Sequence, residues 1–301
     1  MARIIPLVPQ KRLCDMARRY VDCPADLIRD GDRGVSVMLR ALRHADMGLK
    51  HQIMMLLGSF AKEDAAPVFL DILMDDGEMP NTRHFAAFQL STVIPHLEDE
   101  SFYRERLLRC TLSHHPSTRT LAVTALGWPG NPGVFDTLAA LLRDTSREVR
   151  MAAATSLCRL EDPRCVEPLL GMLEWGTFEE KRTVLFNIWR SGCDWDVQER
   201  IYFRFIRHRK SDLRLMALVL LKNAPPERQY TEILHDCLDD DDARIRRVAL
   251  ERLTSQGADA LAPVRGRIRE LLDDSHMEIK RSALMALQAL GPEDDAPPIP
   301  D

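Results

Sequence analysis

The sequence predicts an all-α protein, a right-handed α-solenoid of about eight helix–turn–helix repeats of about 33 residues each. Three observations carry this prediction. A basic residue recurs at nearly constant spacing, apolar residues recur at fixed distances after it, and short polar breaks separate the apolar runs. One such hairpin cannot bury its own apolar face, but stacked copies bury it against one another.

The recurring basic residues, which we call anchors, define the repeat. Successive anchors are 31 to 36 residues apart, and no alternating apolar pattern typical of a strand competes with them. The anchors are Lys50, Arg83, Arg119, Arg150, Arg182, Arg214, Arg246 and Lys280.

Each anchor begins an amphipathic helix, which we call a B helix. The residues three, four and seven positions after the anchor are apolar, and these offsets share one face of a 3.6-residue helix. At +3 most copies have Ala, which allows close helix contact. At +7 they have Leu, except that Trp189 stands there in the copy of Arg182, where we expect it to be a core residue. A second helical run precedes each anchor, as at 134–142 and 264–272.

The chain ends differ from the repeats. Residues 1–32 contain one expected helix, Lys11–Val21, and are predicted to form an N-terminal cap. Residues 33–291 are the predicted solenoid, which we expect to be one continuous domain. The acidic, Pro-rich segment 292–301 has few core residues and is predicted to be a frayed tail.

Two segments resemble a known repeat family. They are Asp-Thr-Ser-Arg-Glu-Val-Arg-Met-Ala-Ala-Ala-Thr-Ser-Leu at 144–157 and Asp-Asp-Asp-Ala-Arg-Ile-Arg-Arg-Val-Ala-Leu-Glu-Arg-Leu at 240–253. Both resemble HEAT repeats of the short bacterial type that is also found in phycobilisome lyase subunits. The resemblance extends over roughly residues 33–291. It implies an architecture rather than an activity, because such repeats serve many functions.

An Asp stands six residues before several anchors. A cation in the first turn of a helix opposes the helix dipole and needs a compensating carboxylate, and the resemblance implies an Asp–Arg ladder between adjacent repeats. We interpret this ladder as structural. Ser113 and Gly176 replace the Asp in the copies of Arg119 and Arg182, so we expect interruptions there. The predicted ladder residues are Asp144, Arg150, Asp240, Arg246, Asp274 and Lys280.

Composition narrows the class of protein and its compartment. The 301 residues include 41 Lys and Arg against 46 Asp and Glu, and this net charge of −5 argues against a dedicated nucleic-acid binder. A hydrophobic content of 45% excludes wholesale disorder. The sequence has no apolar run long enough for a membrane helix, a poor signal peptide at its start, and seven scattered cysteines without a Cys-x-x-Cys pair. We therefore expect a cytoplasmic protein that does not bind membranes.

Motifs typical of enzymes are missing from the sequence. It has no Gly-x-Ser-x-Gly elbow, no Gly-x-x-x-x-Gly-Lys phosphate loop and no Gly-x-Gly-x-x-Gly fingerprint. It also lacks His-x-x-x-His and the His-Glu dipeptides that bind iron in some hydroxylases of similar helical-repeat architecture. We predict no catalytic residues, no metal site and no cofactor.

The segment 189–214 mixes basic and aromatic side chains, which can contact phosphates and stack on bases. Some alkylpurine DNA glycosylases are built of similar repeats and use such residues with an Asp, a part that Asp194 or Asp196 would play here. Core packing with a solvated outer face is the favoured interpretation. The candidate nucleic-acid patch contains Arg190, Trp195, Arg200, Arg204, Arg207, Arg209 and Lys210.

A second candidate is the B-helix stripe, the positions one and five residues after each anchor. Its residues are mostly uncharged until the last two copies, and a Met-containing groove of this kind suits an amphipathic helix or peptide. Burial between adjacent repeats is the alternative, and the sequence leaves both open. The candidate groove residues are His51, Met55, His84, Phe88, Thr120, Thr124, Met151, Thr155, Leu215 and Val219.

These observations favour a non-enzymatic scaffold that holds a protein or peptide on the concave surface of the B helices. Two alternatives remain, a chromophore lyase-like protein and a DNA-binding or glycosylase-like repeat protein. The sequence does not determine the partner or the oligomeric state.

Overall fold

The computed structural model describes residues 9–131, 133–225, 228 and 230–291, and all regular structure in these ranges is helical. The contacts divide the chain into two compact units, Met1–Cys193 and Asp194–Asp301. No helix in the described ranges combines the length and the apolar character needed to cross a membrane. The tail expected at 292–301 lies outside the described residues.

Unit 1 contains twelve of the helices. In chain order they are α1 (Gln10–Asp22), α2 (Pro24–Asp30), α3 (Asp32–Ala41), α4 (Met47–Phe60), α5 (Lys62–Met74), α6 (Pro80–Val93), α7 (Glu100–Cys110), α8 (Pro116–Leu126), α9 (Phe135–Leu141), α10 (Arg147–Arg159), α11 (Val166–Trp175) and α12 (Phe178–Asn187). Short 3₁₀ helices occur at Ile94–His96, Pro163–Cys165 and Ile188–Ser191.

Unit 2 contains the remaining seven. They are α13 (Trp195–Ile206), α14 (Ser211–Leu220), α15 (Thr231–Asp236), α16 (Ala243–Gln256), α17 (Ala258–Leu261), α18 (Arg265–Glu270) and α19 (Met277–Leu290). Four more 3₁₀ helices occur at Leu221–Asn223, Cys237–Asp239, Ala262–Val264 and Leu271–Asp273.

Each anchor lies in its own B helix. The B helices of unit 1 are α4, α6, α8, α10 and α12, and those of unit 2 are α14, α16 and α19. The predicted α-solenoid of helical hairpins is thereby confirmed, with five anchors in the first unit and three in the second. The hand of the superhelix stays a prediction, as do the boundaries of the cap and the solenoid.

The predicted core face is buried along the repeats. The +3 residue is fully buried in all eight copies, as Ala122 and Ala249 show. At +7, six copies bury a Leu completely, whereas Trp189 is 49% exposed. The expectation that Trp189 is a core residue is wrong because α12 ends at Asn187. The tighter 3₁₀ turn that follows rotates its residues away from the positions that an α-helix would give them. Ile188 is therefore buried where Trp189 was expected.

Neighbouring B helices come very close together where small residues meet. A Cβ added at Gly127 would lie 2.6 Å from the Ser156 Oγ and 2.9 Å from the Ser156 Cα. The Ser156 hydroxyl donates to the Val123 carbonyl over 2.9 Å, so α10 is tied directly to the backbone of α8. This contact leaves no room for a side chain at Gly127.

The B helices form the inner layer within each unit. In unit 1 each B helix from α4 to α10 contacts the next one along the chain, and in unit 2 α16 contacts both α14 and α19. The helices that precede them, such as α5, α7 and α9, have far fewer contacts with each other. In a curved stack the more closely spaced layer lies on the inner side.

Candidate functional site

Among the described residues, the ladder runs to the following copy from five of the anchors, namely Lys50, Arg119, Arg150, Arg214 and Arg246. Arg182 instead pairs with Glu179 of its own helix. The Arg119 guanidinium binds the Asp144 carboxylate through two hydrogen bonds of 2.7 and 2.8 Å, while its Nη1 donates to the Ser113 carbonyl of its own copy. Arg214 binds Asp240 in the same way, and the Nε and Nη2 of Arg246 both donate to the Oδ2 of Asp274. The guanidinium therefore joins the loop before its own helix to the loop before the next.

The two expected interruptions have different outcomes. Arg83 pairs with Asp76 of its own copy instead of reaching position 113, so the ladder is interrupted there as predicted. The interruption expected at Gly176 is wrong, because Glu180 supplies the missing carboxylate to Arg150. Glu180 also closes a capping box with Thr177, and this local motif places the carboxylate near the absent Asp position.

The ladder carboxylates are held in their charged form. Burial by itself raises the pKa of Asp144, but hydrogen bonds from Arg119 and the Ser146 amide, together with the Arg119 charge, outweigh burial and lower the pKa below its ordinary value. The pKa of Asp240, Asp274 and Glu180 is lowered against burial by similar partners. These charges compensate one another within the stack, and we therefore interpret the ladder as structural.

The B-helix stripe is partly accessible in unit 1. Met55 is 57% exposed and Phe88 is 46% exposed, and His84 is exposed beside them. Thr124, Met151 and Thr155 are half-buried and Thr120 is buried. His51 is half-buried because its ring stacks on Phe85 with centroids 4.4 Å apart, so part of the stripe packs between repeats. In unit 2, Leu215 is half-buried and Val219 is exposed.

In unit 1 the stripe contains no Asp, Glu, Lys or Arg. Desolvation by the surrounding residues, and secondarily the positive charge of Arg83, lower the pKa of His84 below its ordinary value. The Thr124 and Thr155 hydroxyls each donate to a main-chain carbonyl four residues earlier in their own helix. These side chains therefore add no charge and leave no hydroxyl proton free.

Arg159, which sequence reasoning did not single out, lies at one end of this surface. Its Nη2 donates to the Ser91 Oγ over 2.9 Å, and its guanidinium carbon lies 5.4 Å from the centre of the Phe88 ring. Helix α10 thus reaches α6 across the intervening α8. The only signal in the sequence is a four-residue spacing that continues the stripe from Met151 through Thr155 to Arg159.

The candidate nucleic-acid residues do not form one described patch. Arg190 lies in unit 1, where its guanidinium carbon is 4.9 Å from the centre of the Trp189 ring. The other candidates lie in unit 2, where Arg200, Arg204, Arg207, Arg209 and Lys210 are exposed. Trp195 is half-buried, and its indole nitrogen donates to the Tyr230 hydroxyl over 2.6 Å, so its ring is held by packing.

The described residues were also compared with the requirements of a metal site and of a reactive thiol. They contain no group of three or more His, Cys, Asp or Glu side chains placed to hold a metal ion. Burial raises the pKa of Cys165 and of Cys237 to about 12, and it raises the pKa of Cys158 as well. These three thiols stay protonated at neutral pH and are poor nucleophiles.

Comparison with known proteins identifies the repeat. The sequence profile of HEAT repeats matches residues 104–186, which include α8, α10 and most of α12. No curated protein matches the chain by sequence.

Three known structures share the fold. A homology model of the AP-3 complex matches with a TM-score of 0.60 and 16% identity, over 95% of this chain and 55% of that one. YibA of Escherichia coli matches with a TM-score of 0.52 and 14% identity, over 95% of this chain and 99% of its own. The karyopherin Kap121p, bound to the SUMO protease Ulp1p, matches with a TM-score of 0.52 and 15% identity, over 93% of this chain and 36% of the karyopherin. This chain thus spans about half of the AP-3 chain and about a third of the karyopherin.

Proposed function

We propose that this chain, which matches HEAT repeats over residues 104–186, is a non-enzymatic scaffold that binds a peptide or protein partner on the inner B-helix surface of unit 1. The B-helix stripe of α4, α6, α8 and α10 forms the binding surface. Met55 and Phe88 provide its apolar contacts, and the neutral Thr residues beside them form its floor.

The exposure of Met55 and Phe88 is the observation that carries this proposal. Both side chains lie on the inner layer and are about half exposed. A large apolar side chain left in water costs roughly 1.5–3 kcal/mol relative to its burial. A partner that covers both residues therefore gains favourable free energy, and the flexible Met side chain adapts to differently shaped partners.

The structural neighbours support the same class of function by analogy. The karyopherin structure is described as bound to a SUMO protease, and the AP-3 chain as part of a complex. Identities of 15% and 16% carry only the fold, so neither partner is transferred to this chain. The proposed function therefore rests on the exposed inner surface of this protein.

Site-specific photocrosslinking in the native host tests the proposal. Benzoylphenylalanine replaces Phe88 in one variant and Phe102 in a control, because Phe102 is 57% exposed on α7, outside the inner layer. We expect position 88 to give one discrete crosslinked product with a partner. Position 102 should give no crosslinked product of the same mass. Identical products from both positions, or none from position 88, would contradict the proposal.

Binding of the partner identified in this way is then compared between Phe88→Glu and Phe102→Glu. We expect Phe88→Glu to weaken binding at least about tenfold, because a charge in an apolar contact remains desolvated without a partner. Phe102→Glu should leave the affinity unchanged. Circular dichroism of both variants checks that the helices remain intact.

We also propose that the protein resides in the cytoplasm. No disulfide joins the cysteines of the described residues, and thiols persist in this form in a reducing compartment. Fractionation of the host, followed by labelling of accessible thiols in the recovered protein, tests this location. Recovery in an oxidising compartment with cysteines in mixed disulfides would contradict it.

A further inference from the structure

Two guanidinium groups of unit 1, those of Arg159 and Arg190, differ from the ladder cations in what they contact. Arg159 is half-buried at the end of α10, where it donates to the Ser91 hydroxyl and lies against the Phe88 ring. Arg190 is exposed beside Trp189. Among the described residues, neither forms an ion pair with Asp or Glu, whereas the ladder cations Lys50, Arg119 and Arg150 each bind one.

The charge of Arg190 also acts on the Arg159 guanidinium. Burial, and secondarily the charge of Arg190, lower the pKa of Arg159. Helix α10 packs against the 3₁₀ segment Ile188–Ser191 that carries Arg190. A half-buried cation with a second cation in its neighbourhood costs free energy unless an anion joins them.

Arg252 shows that half-burial without an ion pair is not enough to mark a binding site. This side chain of unit 2 is also half-buried and has no carboxylate partner among the described residues. Its Nη1 donates to the Leu218 carbonyl over 2.9 Å, and no neighbouring cation lowers its pKa. Arg159 differs because a second cation and an exposed aromatic ring lie beside it.

We propose that Arg159 and Arg190 together bind the carboxylate of an Asp or Glu side chain in a peptide partner, with a neighbouring apolar side chain of that peptide packed on Phe88 and Met55. This inference rests on the scaffold function proposed above and names the chemistry of the partner. A guanidinium offers up to five N–H donors in a planar fork that matches a carboxylate. One carboxylate also relieves the repulsion between the two cations.

The charge pattern of the surface favours an acidic peptide over a nucleic acid. A nucleic-acid strand presents a regular series of phosphates and needs a line of cations to bind it. Between Phe88 and Arg159 the stripe instead carries the uncharged residues Thr120, Thr124, Met151 and Thr155. Two cations next to an apolar surface fit one acidic residue beside one apolar residue.

A measurement without ligand tests whether Arg159 is structural. We expect Arg159→Gln to leave the thermal midpoint unchanged or to raise it, because the substitution removes an uncompensated charge and retains a donor for Ser91. Arg119→Gln, which breaks a ladder rung, should lower the midpoint. If Arg159→Gln lowers the midpoint as much as Arg119→Gln, Arg159 is a structural residue and the proposal fails.

Selection of binding peptides tests the recognition itself. A library of random peptides displayed on phage is selected on the full-length protein and counter-selected on the double variant Arg159→Gln/Arg190→Gln. We expect enriched peptides to place Asp or Glu next to Phe, Leu or Met. A synthetic peptide of this type should bind about tenfold more tightly than its version with Gln for Glu or Asn for Asp.

The control variant is Arg109→Gln, which makes the same change in charge at an exposed residue of α7. Arg109→Gln should retain the preference for the acidic peptide, and Arg159→Gln or Arg190→Gln should abolish it. Enriched peptides without acidic residues that still need Phe88 would overturn acid recognition and leave the scaffold function standing. No enrichment, together with no crosslink from position 88, would overturn both. Displacement of the acidic peptide by short single-stranded DNA at lower concentration would overturn the choice of partner.

Discussion

At the scale of single residues, one guanidinium group performs two tasks in each ladder rung. The Nε and Nη2 of Arg119 bind Asp144 in the next copy, and its Nη1 binds the Ser113 carbonyl of its own copy. A Lys has one ammonium group and cannot reproduce this planar arrangement. One Arg side chain therefore connects the loop before its own B helix to the loop before the next B helix.

Substitution of Asp144 by Asn tests the contribution of a rung. The ordinary pKa of Asp is 3.8, and in the folded protein the pKa of Asp144 lies below that value. A lowered pKa in the folded state contributes stability that is present above the ordinary pKa and is lost as pH falls through the folded value. We expect Asp144→Asn to lower the free energy of unfolding at pH 7 by about 1–3 kcal/mol.

The difference between wild type and Asp144→Asn should shrink as the pH falls from about 5 towards 3. Urea unfolding at several pH values measures this difference. Asp15→Asn, at an exposed position of α1, is the matched control and should change stability little at any pH. A difference that stays constant with pH would show that the charge of Asp144 does not contribute.

At the scale of helices, stability depends on how closely neighbouring B helices approach. The +3 position is buried in every copy, and Gly127 and Ser156 bring α8 and α10 into near backbone contact. A protein interior is packed as densely as an organic crystal, so a single added methyl group at such a contact must displace its neighbours.

Gly127→Ala should therefore destabilise the protein by about 1–3 kcal/mol. Gly266→Ala in α18 is the control, because an added Cβ there has no neighbour within 4 Å. That substitution should be neutral or stabilising by up to about 1 kcal/mol, since Ala favours helices over Gly. Chemical denaturation of both variants gives the comparison, and equal effects would contradict the close contact.

At the scale of the whole molecule, the repeats belong to two compact units. Each copy of a repeat contacts mainly its nearest neighbours, so stability is distributed along such a chain and not concentrated in one core. A perturbation should consequently be felt most strongly within the unit that contains it.

A pair of core substitutions tests this distribution. Leu157 in unit 1 and Leu250 in unit 2 are both fully buried, and Leu→Ala at either site should cost about 2–5 kcal/mol. Hydrogen exchange followed by mass spectrometry should show faster exchange mainly in the substituted unit. Equal acceleration throughout the described residues in both variants would indicate one cooperative domain.

The sequence by itself determined the helical repeat, its period and its buried face. These features are local, because a 3.6-residue periodicity places the +3 and +7 residues on one side of a helix whatever lies beyond it. Ala122 and Leu157 are buried as their spacing predicts. The exposure of Trp189 could not be predicted, since it depends on the residue at which α12 changes to a 3₁₀ turn.

Only the tertiary structure decided which residues meet across the stack. Glu180 replaces the missing Asp of the ladder, and Arg159 reaches Ser91, 68 residues earlier in the chain. Such contacts depend on the curvature of the inner layer, which is set by the packing of every helix pair between them. The spacing of residues along a single helix carries no information about this curvature.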